Sequence, residues 1–107
     1  MTTYDQREQA FESAFAHDED LRFRAHARRD RNLGLWAAAL LGKSGTAAED
    51  YAATIVALGL KTAPDDAIKT QIIADFVKHG VRQSEAEIAS TMANMMKDAV
   101  QHIKTEP

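Results

Sequence analysis

Any catalysis or metal binding in this 107-residue chain has to rest on His17, His26, His79 and His102, on its serines and carboxylates, or on its arginines, because it has no cysteine. No two of the histidines stand at the spacing that puts a pair of metal ligands on one helical face, so a zinc site is not expected. They read as surface histidines. No serine sits in a glycine-flanked nucleophile elbow, and none has a histidine and an acid grouped with it. Glu85 and Glu87 fit the first turn of a helix, where the helix dipole favours negative charge, better than a catalytic pair of carboxylates. The chain does not read as an enzyme.

Two basic features remain. Gly42-Lys43-Ser44 is like the end of a phosphate-binding loop, but that motif needs a glycine five residues earlier, where this chain has Ala37. It also needs a strand before the loop and a helix starting at the lysine, whereas here a helix should end at Gly42. The triplet reads as a helix stop and linker, with an anion contact at the free N–H groups near Thr46 as the weaker alternative. The segment Arg22–Arg31 holds five arginines in ten residues. They suit phosphate binding or a solvated, salt-bridged helix face. Only Phe23 interleaves with them and the net charge is −3, so nucleic-acid binding is not expected.

Composition bounds the elements that carry these residues. The length allows one domain with a modest core. An apolar content of 45 % and a charged content of 27 % are ordinary for a globular protein. The lack of cysteine fits a reducing compartment. The opening MTTYDQREQ has no apolar signal-peptide core, and no run approaches the ~20 apolar residues of a membrane span. A cytoplasmic protein with no direct membrane insertion is expected.

The periodicity predicts helices throughout, with no period-two stretch. Leu33, Trp36, Ala37, Leu40 and Leu41 form one face for burial. The acid-first pairs Asp18–Arg22 and Asp20–Arg24 extend that helix backward, and Gly42 closes it. Thr46 and Glu49 match a capping box for a second helix with the face Ala48, Tyr51, Ala52, Ile55 and Leu58, ending at Gly59. Thr62-Ala-Pro-Asp65 opens a third, with Pro64 in the first turn, Ile68, Ile72, Phe76 and Ile73 inward, and Gly80 at its end. Ser84 and Glu87 make a second capping box. The fourth helix then carries a seam of Ile88, Met92, Met95, Ala99 and either His102 or Ile103. Met92, Met95, Met96 and Trp36 are expected in the core. The architecture is an all-α four-helix bundle over residues 18–104, with 105–107 a loose tail.

Residues 1–17 differ. Tyr4, Phe11 and Phe15 fall on one helical face, and over residues 3–20 six acids stand against one base, Arg7. Three aromatics give little surface to bury, and an isolated helix of this length is marginal in water. The segment is expected to be frayed or disordered when free and to become helical on a partner. The alternative is that Phe11 and Phe15 cap the bundle core.

FESAFAHDEDLRF (11–23) followed by ARRDRNLGLWAAALLG (27–42) resembles the zeta-subunit family of alphaproteobacterial F-type ATP synthases, and the resemblance runs along the whole chain. Asp30 and Ala39 depart from it, standing where asparagine and a polar or acidic residue are expected. The resemblance implies a four-helix bundle that inhibits ATP hydrolysis by the synthase's catalytic head, working from the cytoplasmic side of the inner membrane. It implies an inhibitory N-terminal arm, here with Tyr4, Phe11 and Phe15 as apolar anchors and Asp5, Arg7, Glu8 and Glu12 as polar contacts. It also implies weak ADP or ATP binding at the bundle, with no cofactor required. No motif assigns that site; Arg28, Arg31, Trp36 and Lys43 are candidates by charge and stacking alone. His17, beside the arm, is a candidate pH sensor. The competing readings are a helical adaptor that uses the same arm on another protein, and a nucleotide-sensing bundle with no direct inhibitory role.

Overall fold

Asp18 starts the first helix by a local trade of hydrogen bonds. In the computed structural model, which describes residues 18–105, its Oδ1 accepts from the N–H groups of Asp20 at 3.0 Å and Leu21 at 3.1 Å. A carboxylate there covers donors that have no partner inside the helix. Asp18 is thus the cap, one residue outside the helix, rather than a salt-bridge partner within it. Four helices follow: α1 Glu19–Leu40, α2 Gly45–Leu58, α3 Pro64–His79 and α4 Glu85–Thr105. The described residues contain no strand and form an all-α four-helix bundle. The expected arm, with Tyr4, Asp5, Arg7, Glu8, Phe11, Glu12 and Phe15, and the sensor candidate His17 lie outside the described residues.

The helix stops follow the glycines. Gly42 (φ +78) and Gly80 (φ +70) adopt the left-handed conformation. The next N–H then turns back onto the last turn, from Lys43 to Ala38 O and from Val81 to Phe76 O, each at 2.9 Å. Pro64 is the first residue of α3, preceded by Ala63 at φ +52. The Ser84–Glu87 capping box forms in both directions: Glu87 N–H donates to Ser84 Oγ at 3.0 Å, and Ser84 N–H to Glu87 Oε1 at 3.2 Å.

The Thr46–Glu49 box does not form. α2 starts at Gly45 after Ser44, which makes no side-chain cap bond. Thr46 is therefore already inside the first turn, and Glu49 reaches across to Arg31 instead.

The core is contributed by all four helices: Leu33 and Ala37 of α1, Ile55 of α2, Ile68, Ile72 and Phe76 of α3, and Ile88 and Met92 of α4. Trp36 packs edge-on to Phe76 with ring centroids 5.8 Å apart. α1 lies close against α2 because Gly34 has no side chain; a Cβ there would sit 2.6 Å from Ala52 Cα. That contact turns Gly34 and Ala38 inward and leaves Leu40, expected in the core, 40 % exposed. In α4 the seam ends on buried Ile103, with His102 exposed. Met96 lines a cavity rather than filling the core. Tyr51 ties α2 to α3 by donating to Asp75 Oδ2 at 2.7 Å. Burial and that carboxylate both push the tyrosine pKa up, so its hydroxyl keeps its proton.

Candidate functional site

The arginine run of α1 divides once it is wound into a helix. Arg29 lies four residues after Ala25, four before Leu33 and seven before Trp36; Asp30 lies three before Leu33 and seven before Ala37. Both therefore share the inward side of α1 and are carried into the interior, at 2 % and 3 % exposed. The solvated, salt-bridged face holds for Arg22, Arg24, Arg28 and Arg31, which are exposed, and fails at Arg29. A buried guanidinium survives only when paired, and Arg29 has two partners. Its Nε donates to Asp30 Oδ1 at 2.7 Å, and its Nη2 to Asp65 Oδ1, in the first turn of α3, at 2.5 Å.

The electrostatics follow from that geometry. Burial works against the Arg29 charge, but the hydrogen bonds to Asp65 and Asp30 outweigh it and leave the pKa above its ordinary value. For Asp30 burial wins: its pKa is raised, although the bond to Arg29 and the Arg29 and His26 charges pull it down. The Asp30 carboxylate rests against Gly59 at the end of α2, where a Cβ would collide with it. One buried pair thus fixes α1 to the ends of two other helices. Asp30 sits at the centre of this arrangement.

Above the pair a cavity of about 460 Å³ opens between α1, α3 and α4, within the range of small-molecule sites. His26, Arg29, Asp65, Asp66 and Lys69 supply its polar side, and Ala89, Met92, Ala93 and Met96 its apolar side. Lys69 also pairs with Glu85 of α4 at 3.3 Å. No hydroxyl or thiol side chain lines the cavity. An anion entering it would compete with Asp65 for Arg29.

The four candidates chosen by charge and stacking do not share one place. Arg28 and Arg31 border a shallow depression with Ala27 and Asn32, and Arg31 Nη2 donates to both Glu49 carboxylate oxygens at 3.0 Å. Trp36 is turned to the core against Phe76. Lys43 lies beyond the end of α1, whose last residue, Leu40, is roughly 13 Å along the helix from Arg31 at ~1.5 Å per residue. His26, Arg29 and Lys69 do converge, and charge and stacking alone do not pick them out. The available signal was the Ala25–Arg29–Leu33–Trp36 spacing, read back from the apolar half of α1 into the arginines.

A second feature lies at the end of the bundle where α1 begins. Phe23 of α1 is 59 % exposed and Leu60 of the α2–α3 loop 70 % exposed. They border a notch of about 90 Å³ whose floor includes Ala27, Val56 and Gly59. Among the described residues no group of three or more histidines and carboxylates is arranged to hold a metal ion.

In comparison with known proteins, the model of the family described as ATPase inhibitor subunit zeta matches residues 1–102. No curated protein matches the chain.

Proposed function

This chain belongs to the ATPase inhibitor subunit zeta family, and we propose that it stops ATP hydrolysis by the catalytic head of an F-type ATP synthase by inserting residues 1–17, as a helix, into a catalytic interface. Membership makes the role inhibitory and regulatory. The single observation that carries the arm assignment is the extent of the match, which begins at residue 1 and so takes in Tyr4, Phe11 and Phe15 together with the bundle. The described geometry is compatible with it: among the described residues the core is drawn from α1 to α4, and Asp18 caps the start of α1. A helix wedged between subunits of a rotary machine blocks rotation by steric obstruction and needs no bond chemistry. Asp5, Arg7, Glu8 and Glu12 would make the polar contacts. No described helix is long and apolar enough to cross a membrane; in this reading the protein is held on the cytoplasmic side through the synthase.

The test is hydrolysis by purified catalytic head titrated with full-length protein and with a variant lacking residues 2–17. The deletion is expected to keep the bundle folded and abolish inhibition. Unchanged inhibition rejects the arm assignment. Phe11→Ala is expected to weaken binding by about 2–4 kcal/mol as a buried anchor.

Weak adenine-nucleotide binding is a separate part of the proposal. The α1–α3–α4 cavity supports it better than the dispersed Arg28, Arg31, Trp36 and Lys43, because His26, Arg29 and Lys69 face one volume of suitable size. ADP titration followed by amide shifts tests it: shifts at Lys69 and Met92 place the ligand there, and shifts at Arg28 and Arg31 place it on the depression.

A further inference from the structure

We propose that the Phe23–Leu60 ledge is a second docking surface, which seats against the catalytic head beside the point where the arm enters; this rests on the arm reading above. The occupant is a patch of the head that offers an apolar recess with carboxylates beside it.

Position carries the first part of the argument. Residues 1–17 join the bundle at Asp18, the cap of α1, and Phe23 is five residues further on, about 7.5 Å of helix rise. A surface this close to the root of an inserted arm faces the mouth of the insertion site. Leu60 comes from a different element but borders the same notch, so the ledge is built by the tertiary fold at that end of the molecule.

Exposure and charge carry the second part. Phe23 and Leu60, at 59 % and 70 % exposed, leave large apolar groups in water, and large exposed apolar groups gathered at one place mark contact surfaces. Arg22 precedes Phe23 in sequence and Lys61 follows Leu60; both are exposed. An aromatic anchor with an arginine beside it is the composition enriched at energetic centres of interfaces. The bases specify carboxylates on the facing surface. Val77 is the third strongly exposed large apolar residue, at 77 %. It lies near the other end of α3, thirteen residues after Pro64 and about 20 Å along the helix, and so serves as a control.

The experiment measures inhibition of ATP hydrolysis by purified catalytic head with the full-length protein, Phe23→Ser/Leu60→Ser and Val77→Ser, alongside the variant lacking residues 2–17. Thermal unfolding followed by circular dichroism checks that each variant keeps the bundle; both ledge residues are exposed, so no loss is expected. The ledge variant is expected to need at least ten-fold more protein for half-inhibition, with Val77→Ser unchanged. Unchanged potency of the ledge variant, while the arm deletion abolishes inhibition, overturns the ledge and leaves the arm reading standing. Retained inhibition by the arm deletion overturns the arm reading instead. A ledge variant that inhibits more strongly than the parent also overturns the proposal, since it would show the ledge holding the protein's own arm. A loss in Val77→Ser equal to that of the ledge variant does so as well.

Discussion

Arg29 Nη2 and Asp65 Oδ1 lie 2.5 Å apart across 36 residues of chain, with the arginine side chain 3 % exposed and the aspartate 59 % exposed. The two ends of this bond are unequal. The arginine has left water and depends on its partners, whereas the aspartate keeps most of its hydration.

Arg29→Ala is therefore expected to destabilise the bundle by about 3–5 kcal/mol, because it leaves Asp30 buried without its counter-charge. Asp65→Ala, which leaves Arg29 with Asp30 as its remaining partner, is expected to cost less, about 1–3 kcal/mol. Urea unfolding of the two variants checks the ratio.

Asp30→Asn is expected to keep an oxygen facing Arg29 Nε while removing the penalty of a buried negative charge. The raised Asp30 pKa sets the sign. As pH rises from the ordinary carboxylate value, the unfolded chain releases this proton first. The parent protein therefore loses stability until the folded-state pKa is passed, and is level above it. The variant lacks that decline, so its stability relative to the parent should be greater at pH 7 than at pH 4. Paired urea titrations at the two pH values test this; a difference of opposite sign contradicts the burial argument.

Gly34→Ala tests the close approach of α1 and α2. The new methyl group would meet the Ala52 backbone at 2.6 Å, and backbone cannot swing aside as a long side chain can. A loss of about 1–3 kcal/mol is expected from overpacking, even though alanine favours helix more than glycine does. A stability gain in thermal melts would show that the helices can separate freely.

Ala63→Gly should act in the other direction. Ala63 holds φ +52 just before Pro64, a conformation that costs a residue with a Cβ roughly 1–2 kcal/mol. Part of that is offset by the greater freedom glycine has when unfolded. A gain of up to about 1 kcal/mol in urea unfolding is expected.

Local features were legible in advance. Gly42 and Gly80 close helices, Pro64 opens one, and Ser84 and Glu87 cap another, because each acts through bonds within a few residues of itself. The face Ile68, Ile72 and Phe76 was equally plain from its spacing. The same local logic misplaced the start of α2, where Ser44 and Gly45 rather than Thr46 define the first turn.

By itself the sequence determined the four helices of the described residues, where three of them begin or end, and most of the residues that turn inward, since helix periodicity and end-capping are short-range effects. Tertiary structure alone decided the fate of the arginine run. Arg31 meets Glu49 on the surface, while Arg29 is buried by its neighbour Asp30 and by Asp65, which belongs to another helix. Tertiary structure also brought Leu60 beside Phe23. A helical pattern tells which side chains share a side; only the packed neighbours fix which side of a charged stretch loses its water, and at what height along the helix.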